Sequence, residues 1–333
     1  MYTFSADKAC RAAYGETFEG RLIVPSNWLA AWKAASPLGT MLGAMLGGVI
    51  CSKLGRRLTL VIGTVIAAVG VALCVVSGFL PDITVRRALF AVAKLIQGNG
   101  IGQIIVAVQT YVSEVCPPRL RGSAMSLIPL TTLLGQLIGA AVIAAEAGNM
   151  TKWAYIIPLA SQLAFMIPPI VTAITTPESP VYLLTKQKRA AAEKALTRLN
   201  RPGTDVTALA DKIEDALCTT SNKDKASPLD CFKGKERKRT MIILLSYASP
   251  QLWGLTLLAN ASYFMQTVGM SEKASLLLLV LGIILGMVGN FVSVWTLSKF
   301  GRRSLILLGF GLCGLVWIGM GVANCFESEV TIW

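Results

Sequence analysis

Histidine is missing from the sequence altogether, and charged residues of both signs fill only 15% of its 333 positions. The first absence removes imidazole general bases, His-ligated metals and His proton relays. The eight cysteines, Cys10, Cys51, Cys74, Cys116, Cys218, Cys231, Cys313 and Cys325, show no CxxC spacing, so neither a zinc ribbon nor a dithiol redox pair is encoded. Several lie in apolar runs and read as small buried hydrophobes, with a disulfide between Cys10 and Cys325 as the one pairing considered. Residues 1–26 are polar and mixed, without the basic start, apolar core and small-residue cleavage site of a signal peptide. No nucleophile–base pair stands at a segment end, so an enzyme is not expected, and no metal or cofactor site is expected either.

Apolar residues dominate instead, at 54% of the chain, and such a composition needs lipid as its solvent. The net charge of +13 comes from 31 basic against 18 acidic residues. These cations sit in loops and are not interleaved with aromatics, so the expected partner is a bilayer and not a nucleic acid. Eight segments reach the length of about 20 residues that a spanning helix requires. They are 27–51, 58–80, 88–113, 123–146, 153–174, 241–265, 274–298 and 304–325. A backbone facing lipid must satisfy its own hydrogen bonds, so all eight read as helices of an all-α polytopic membrane protein.

A short stretch occurs twice, as SKLGRR at 52–57 and SKFGRR at 298–303, each time between two apolar runs. Glycine makes a sharp turn at little steric cost and the adjacent cations must stay in water, so each copy reads as a charged hinge between spans. The hinge residues are Gly55, Arg56 and Arg57 in one copy and Gly301, Arg302 and Arg303 in the other. Glu114 ends the third span on the same side, with Arg119 or Arg121 as its expected partner. Two hinges point to two related halves. Placing SKLGRR in the cytoplasm leaves 22 loop cations inside against 7 outside. The chain then divides into an extracellular segment (1–26), an N-terminal membrane half (27–175), a cytoplasmic helical loop (176–240) and a partial C-terminal half (241–333). The sequon Asn149-Met150-Thr151 falls in an outside loop. Within the long loop, 186–200 and 205–217 are helix candidates. The basic run at 233–239 marks the cytoplasmic edge of the next helix or binds anionic lipid.

Gly39, Gly43 and Gly47 recur every four residues and predict close helix packing near the hinge. The run Gly98-Asn99-Gly100-Ile101-Gly102 follows no strand, so it is expected to pack helices and not to cradle phosphate. A lysine inside a span costs about 2.5–3.5 kcal/mol, so Lys94 faces a cavity or a partner, or else snorkels to the outer boundary; the first is expected. Gln136, Gln162, Gln251, Asn260, Gln266 and Asn290 must find hydrogen bonds across helices or to a polar ligand. Gln251 lies beside Pro250 and near the aromatic face of Trp253.

Several ordered motifs resemble the sugar-porter branch of the major facilitator superfamily, most closely fungal α-glucoside (maltose) permease-like members. They are GVICSKLGRR at 48–57, residues 97–102 leading to YVSEVCPPRLRG at 111–122, GQLI at 135–138, PESP at 177–180, Gln251 with Gly254, and KFGRR at 299–303. The resemblance implies twelve spanning helices in two halves, of which this chain corresponds to helices 2 to 9, an incomplete fold of about eight helices. It further implies a secondary transporter of α-glucosides or hexoses in the plasma membrane, coupled to protons in the full-length form and working by alternating access. The implied substrate-binding residues are Lys94, Gln136, Gln251, Trp253 and Asn260; both GRR hinges, with Glu114 and Arg121, would be the conformational latches. Departures from the family pattern occur at Ser52 and Ser298, where aspartate is usual, and at Lys94, Pro129, Pro250, Thr256, Gly286 and Val181. These departures and the missing helices leave a second expectation, a truncated or degenerate member that senses sugar or is inactive.

Overall fold

The computed structural model describes residues 14–18, 21–117, 120–146, 153–203, 205–221, 231–252, 265, 271–299 and 301–325. The chain divides into two compact units, one of residues 3–125 with 142–222 and one of 126–141 with 223–333.

In the first unit a small antiparallel hairpin, β1 (Glu16–Phe18) and β2 (Arg21–Ile23), pairs Glu16 with Ile23. Three long helices follow: α1 (Ser26–Leu54), α2 (Arg56–Ser77) and α3 (Ile83–Val115). α3 starts where the Asp82 carboxylate accepts from the Thr84 amide at 2.9 Å, an N-cap that satisfies one orphan donor. It then runs against both neighbours. The expected glycine faces account for this: a Cβ on Gly39 or Gly43 would overlap the carbonyls of Leu95 and Asn99, and one on Gly98 or Gly102 would overlap those of Ser36 and Thr40. Gly100 meets α2 in the same way at Gly63 and Ala67. Backbones approach this closely only where side chains are absent, so the Gly98–Gly102 run packs helices, as expected.

The outer faces are apolar and exposed. Leu38, Met41, Leu42, Met45, Leu46 and Val49 line one side of α1, a surface suited to lipid and not to water. Among the described residues six helices are long and apolar enough to cross a membrane. Besides α1 to α3 these include α4 (Arg121–Glu146) and α11 (Glu272–Lys299). The sixth, expected as one span over 153–174, is broken into α5 (Trp153–Ala164) and α6 (Ile167–Thr175). Pro168 and Pro169 have no amide hydrogen to donate, and their rings crowd the carbonyls four residues earlier, so the chain turns at Phe165 and Met166.

The polar insert forms α7 (Pro180–Thr185), α8 (Arg189–Leu199) and α9 (Val206–Ser221), matching both helix candidates. Leu184, Ala192, Leu196 and Ala210 form its buried face. Arg189 on its exposed side reaches Asp211 at 2.5 Å and Glu193 and Glu214 at 3.1 Å.

The second unit holds the 126–141 stretch of α4 with α10 (Gly234–Leu252), α11 and α12 (Arg302–Cys325). Most of its large apolar side chains are exposed, and Ser275 and Leu276 are buried. α10 begins the span expected over 241–265, whose continuation lies outside the described residues, and α12 covers the one expected over 304–325.

Candidate functional site: a hinge latch and a buried polar layer

The first hinge turns at Gly55, whose φ of 98° lies in the left-handed region that glycine adopts freely. A Cβ there would also strike the Glu178 carboxylate, so the position demands glycine twice over. Glu178 accepts from the Arg56 amide at 3.0 Å and from the Arg57 amide at 3.2 Å. A carboxylate therefore sits on the N-terminus of α2, where unpaired amides and the helix dipole favour negative charge.

The Arg56 side chain turns the other way. It forms an ion pair with Glu114 of α3, donates to the Cys51 carbonyl at 3.2 Å, and stacks 5.1 Å from the Tyr182 ring. The Glu114 carboxylate also accepts from Ser179 at 2.5 Å, and Tyr182 donates to the Lys53 carbonyl at 2.8 Å. Tyr111 closes the ring by donating to the Pro177 carbonyl at 3.1 Å. Arg57 and Arg198 donate to the carbonyls of Ile174 and Thr175 at the C-terminus of α6, each at 3.3 Å, where cations suit the dipole.

One expectation is corrected here. Glu114 pairs with Arg56, not with Arg121, which is exposed at the start of α4; Arg119 lies outside the described residues. Arg56 is distant in sequence but adjacent across the α2–α3 packing, and spacing along one chain segment does not show that. Ser52 donates to Val49 of its own helix at 2.8 Å, and the carboxylates of the latch come from Glu114 and Glu178. Residue spacing assigns no role to Glu178, Ser179 or Tyr182; the PESP match at 177–180 is the signal for the first two.

The second hinge is described at Gly301 and Arg303, both exposed; the side chains of Ser298 and Arg302 lie outside the described residues. Leu305 donates its amide to the Gly301 carbonyl at 3.3 Å, starting α12 directly at the turn.

In the first half of α3 the helices bring polar side chains together. Lys94, 8% exposed, donates to Gln97 at 2.8 Å, and Gln97 donates to Gln162 of α5 at 2.8 Å. The ammonium also lies 5.5 Å from the Phe90 ring. Lys94 is thus buried against a partner, Gln97. Gln103, one face further along α3, donates to Asn99 at 2.8 Å. Of the remaining sequence candidates, Gln136 is exposed on the 126–141 stretch of the second unit. Trp253, Asn260, Gln266 and the Gln251 side chain lie outside the described residues, as do Cys10, the Cys325 side chain and the Asn149 sequon. Among the described residues no group of three Cys, Asp or Glu side chains could hold a metal ion.

Apolar helices with lipid-suited faces, a charged glycine hinge and a buried polar layer together define a polytopic integral membrane protein. The family model described as "Sugar (and other) transporter" matches residues 2–332, and the chain belongs to that family. It is 28% identical over 254 residues to the alpha-glucosides permease MPH3 of Saccharomyces cerevisiae, covering 72% of this chain and 42% of that one. With the MFS transporter fmqE of Aspergillus fumigatus it shares 28% over 327 residues, 94% of this chain and 58% of that one. The chain thus spans about two-fifths of the length of the permeases it matches. Among solved structures, the major facilitator superfamily proton:xylose symporter XylE bound to 6-bromo-6-deoxy-D-glucose superposes with a TM-score of 0.73 at 22% identity, covering 91% of this chain and 67% of that one. A partially occluded inward-open form of XylE from E. coli gives 0.66 at 21%, covering 91% and 71%. The fold is that of the major facilitator superfamily, incomplete in this chain.

Proposed function

We propose that this protein is a secondary transporter of sugars, of the α-glucoside or hexose class, working by alternating access. The observation that carries the reading is the Lys94–Gln97–Gln162 layer, a line of donors and acceptors buried within a bundle whose outer faces suit lipid. Lys94 is the cavity charge in this reading. Gln136, Gln251 and Asn260 supply hydrogen bonds, and Trp253 a stacking surface. The relatives' description as alpha-glucoside permeases supports the substrate class, and XylE's description as a proton symporter supports coupling to a proton. Both hinges then face the cytoplasm with the 176–240 insert, residues 1–26 face outward, and the membrane is the plasma membrane.

Proteoliposome uptake of labelled maltose and glucose tests this directly. Saturable uptake of either sugar is expected, accelerated by an inward proton gradient and slowed by a protonophore. A well-folded protein with no saturable uptake would sink the proposal.

A further inference from the structure

One helical turn before Lys94 and Gln97 on α3, and one turn before Gln162 on α5, stand Phe90, Ala93 and Leu159, all buried. They share an apolar cluster with Trp32 of α1, Cys74 of α2, and Tyr14 and Val24. The Tyr14, Trp32 and Phe90 rings lie 4.9 to 5.5 Å apart, two of the three pairs edge-on. Tyr14 and Val24 belong to no helix of the bundle. They flank the β1–β2 hairpin, and through them the described residues 14–18 and 21–24 touch α1, α2 and α3 at once.

Arg87, in the first turns of α3 and 3% exposed, ties the segment down. Its Nε donates to the Tyr14 carbonyl at 2.8 Å, its Nη1 pairs with Glu16 at 2.7 Å, and its own carbonyl accepts from the Trp32 indole at 3.1 Å. The Tyr14 hydroxyl shares a hydrogen bond of 3.0 Å with Ser77 at the end of α2. Among the described residues Arg87 Nη2 is buried without a hydrogen-bond partner.

We propose that residues 14–18 and 21–24 form a strap, latched by Arg87, that closes this end of the bundle over the Lys94–Gln97–Gln162 layer. Arg87 acts as a positioning residue: it holds Tyr14, Tyr14 holds Phe90, and Phe90 covers Lys94. When the guanidinium releases the Tyr14 carbonyl, the aromatic trio loses one member and the polar layer opens on this side. The inference rests on the transport reading only for the identity of the ligand that would enter.

Two native thiols make the strap measurable. Cys74 lies under it and is 1% exposed, whereas Cys51, 4% exposed, lies at the hinge end of the same bundle beside Arg56. Alkylation of the reconstituted chain by N-ethylmaleimide, resolved by site with mass spectrometry, reads both. Arg87→Met is expected to raise the Cys74 rate about ten- to a hundredfold with Cys51 unchanged, the effect of losing a charged hydrogen bond on a local opening. Glu16→Gln, whose carboxylate is largely exposed, is expected to raise it about two- to fivefold. An unchanged Cys74 rate in Arg87→Met overturns the strap. If both thiols quicken together in that variant, the bundle has loosened as a whole and Glu16→Gln decides: a selective rise at Cys74 sustains the strap, and none overturns it. No sugar enters this assay, so failed uptake of maltose or glucose leaves its result readable.

Discussion

Arg56 and Glu114 stand 58 residues apart in sequence and face each other across the α2–α3 packing as an ion pair, each side chain 14% exposed. Such shielding strengthens the attraction over that of a surface pair, and Ser179 and the Cys51 carbonyl satisfy further polar atoms of the two groups. A double-mutant cycle of Arg56→Ala and Glu114→Ala, read by denaturant unfolding in detergent, is expected to give a coupling of about 1–3 kcal/mol. Arg121→Ala, at an exposed position, is expected to stay within about 0.5 kcal/mol. A larger effect from Arg121 than from Arg56 would contradict the pairing.

The glycines of α1 divide by what they face. Gly43 lies against the Asn99 carbonyl, whereas nothing stands within 4 Å of a Cβ placed on Gly48. Gly43→Ala should therefore cost about 1–3 kcal/mol by overpacking. Gly48→Ala should stabilise by about 0.5–1 kcal/mol, because alanine restricts the unfolded helix backbone. Thermal unfolding monitored by intrinsic fluorescence separates the two, and equal shifts would argue against a close α1–α3 crossing.

The polar layer spans two helices through one amide. Gln162→Ala leaves the Gln97 amide without its acceptor at a buried site, for an expected loss of about 1–3 kcal/mol. Lys94→Ala is expected to weaken maltose or glucose binding far more than it lowers expression, and Lys33→Ala to change neither. Calorimetric binding with purified variants checks the pair; equal effects of the two lysines would favour a merely structural Lys94.

Asp205 caps α9, accepting from the Thr207 hydroxyl at 2.6 Å and from the amides of Ala208 and Thr207 at 3.1 Å. The Thr207 hydroxyl first, with the Ala208 amide, holds its carboxyl below the ordinary value of 3.8. A depressed carboxylate stabilises the folded form fully above that ordinary value, and the contribution disappears as pH falls through the lower folded value. Amide exchange across α9, corrected for intrinsic rate, should therefore quicken selectively in the acid range. Asp205→Asn keeps an uncharged cap and should remove this pH dependence.

Much of this was legible in residues 27–175. Glycine spacing foretold the α1–α3 crossing, because the i, i+4 interval places small residues on one face whatever the partner. The SKLGRR turn announced Gly55 and the two arginines. The α5–α6 break was also encoded, in Pro168-Pro169, but an apolar run of spanning length concealed it. The contacts of Tyr14 with Arg87 and Phe90 were not legible, since a single tyrosine ahead of the first helix gives no periodic signal. The ligands of the latch were not either, because Glu178 meets Arg56 across 122 residues.

By itself, then, the sequence determined a helical membrane chain, its hinges and its close-packed glycine faces, all consequences of local sterics and of the length of apolar runs. Tertiary structure alone decided the partners: Glu114 for Arg56, Glu178 for the N-terminus of α2, Gln162 for Gln97 and Arg87 for Tyr14. Charges and amides carry no address in sequence, and each takes whichever complementary group the packed helices bring within hydrogen-bond reach.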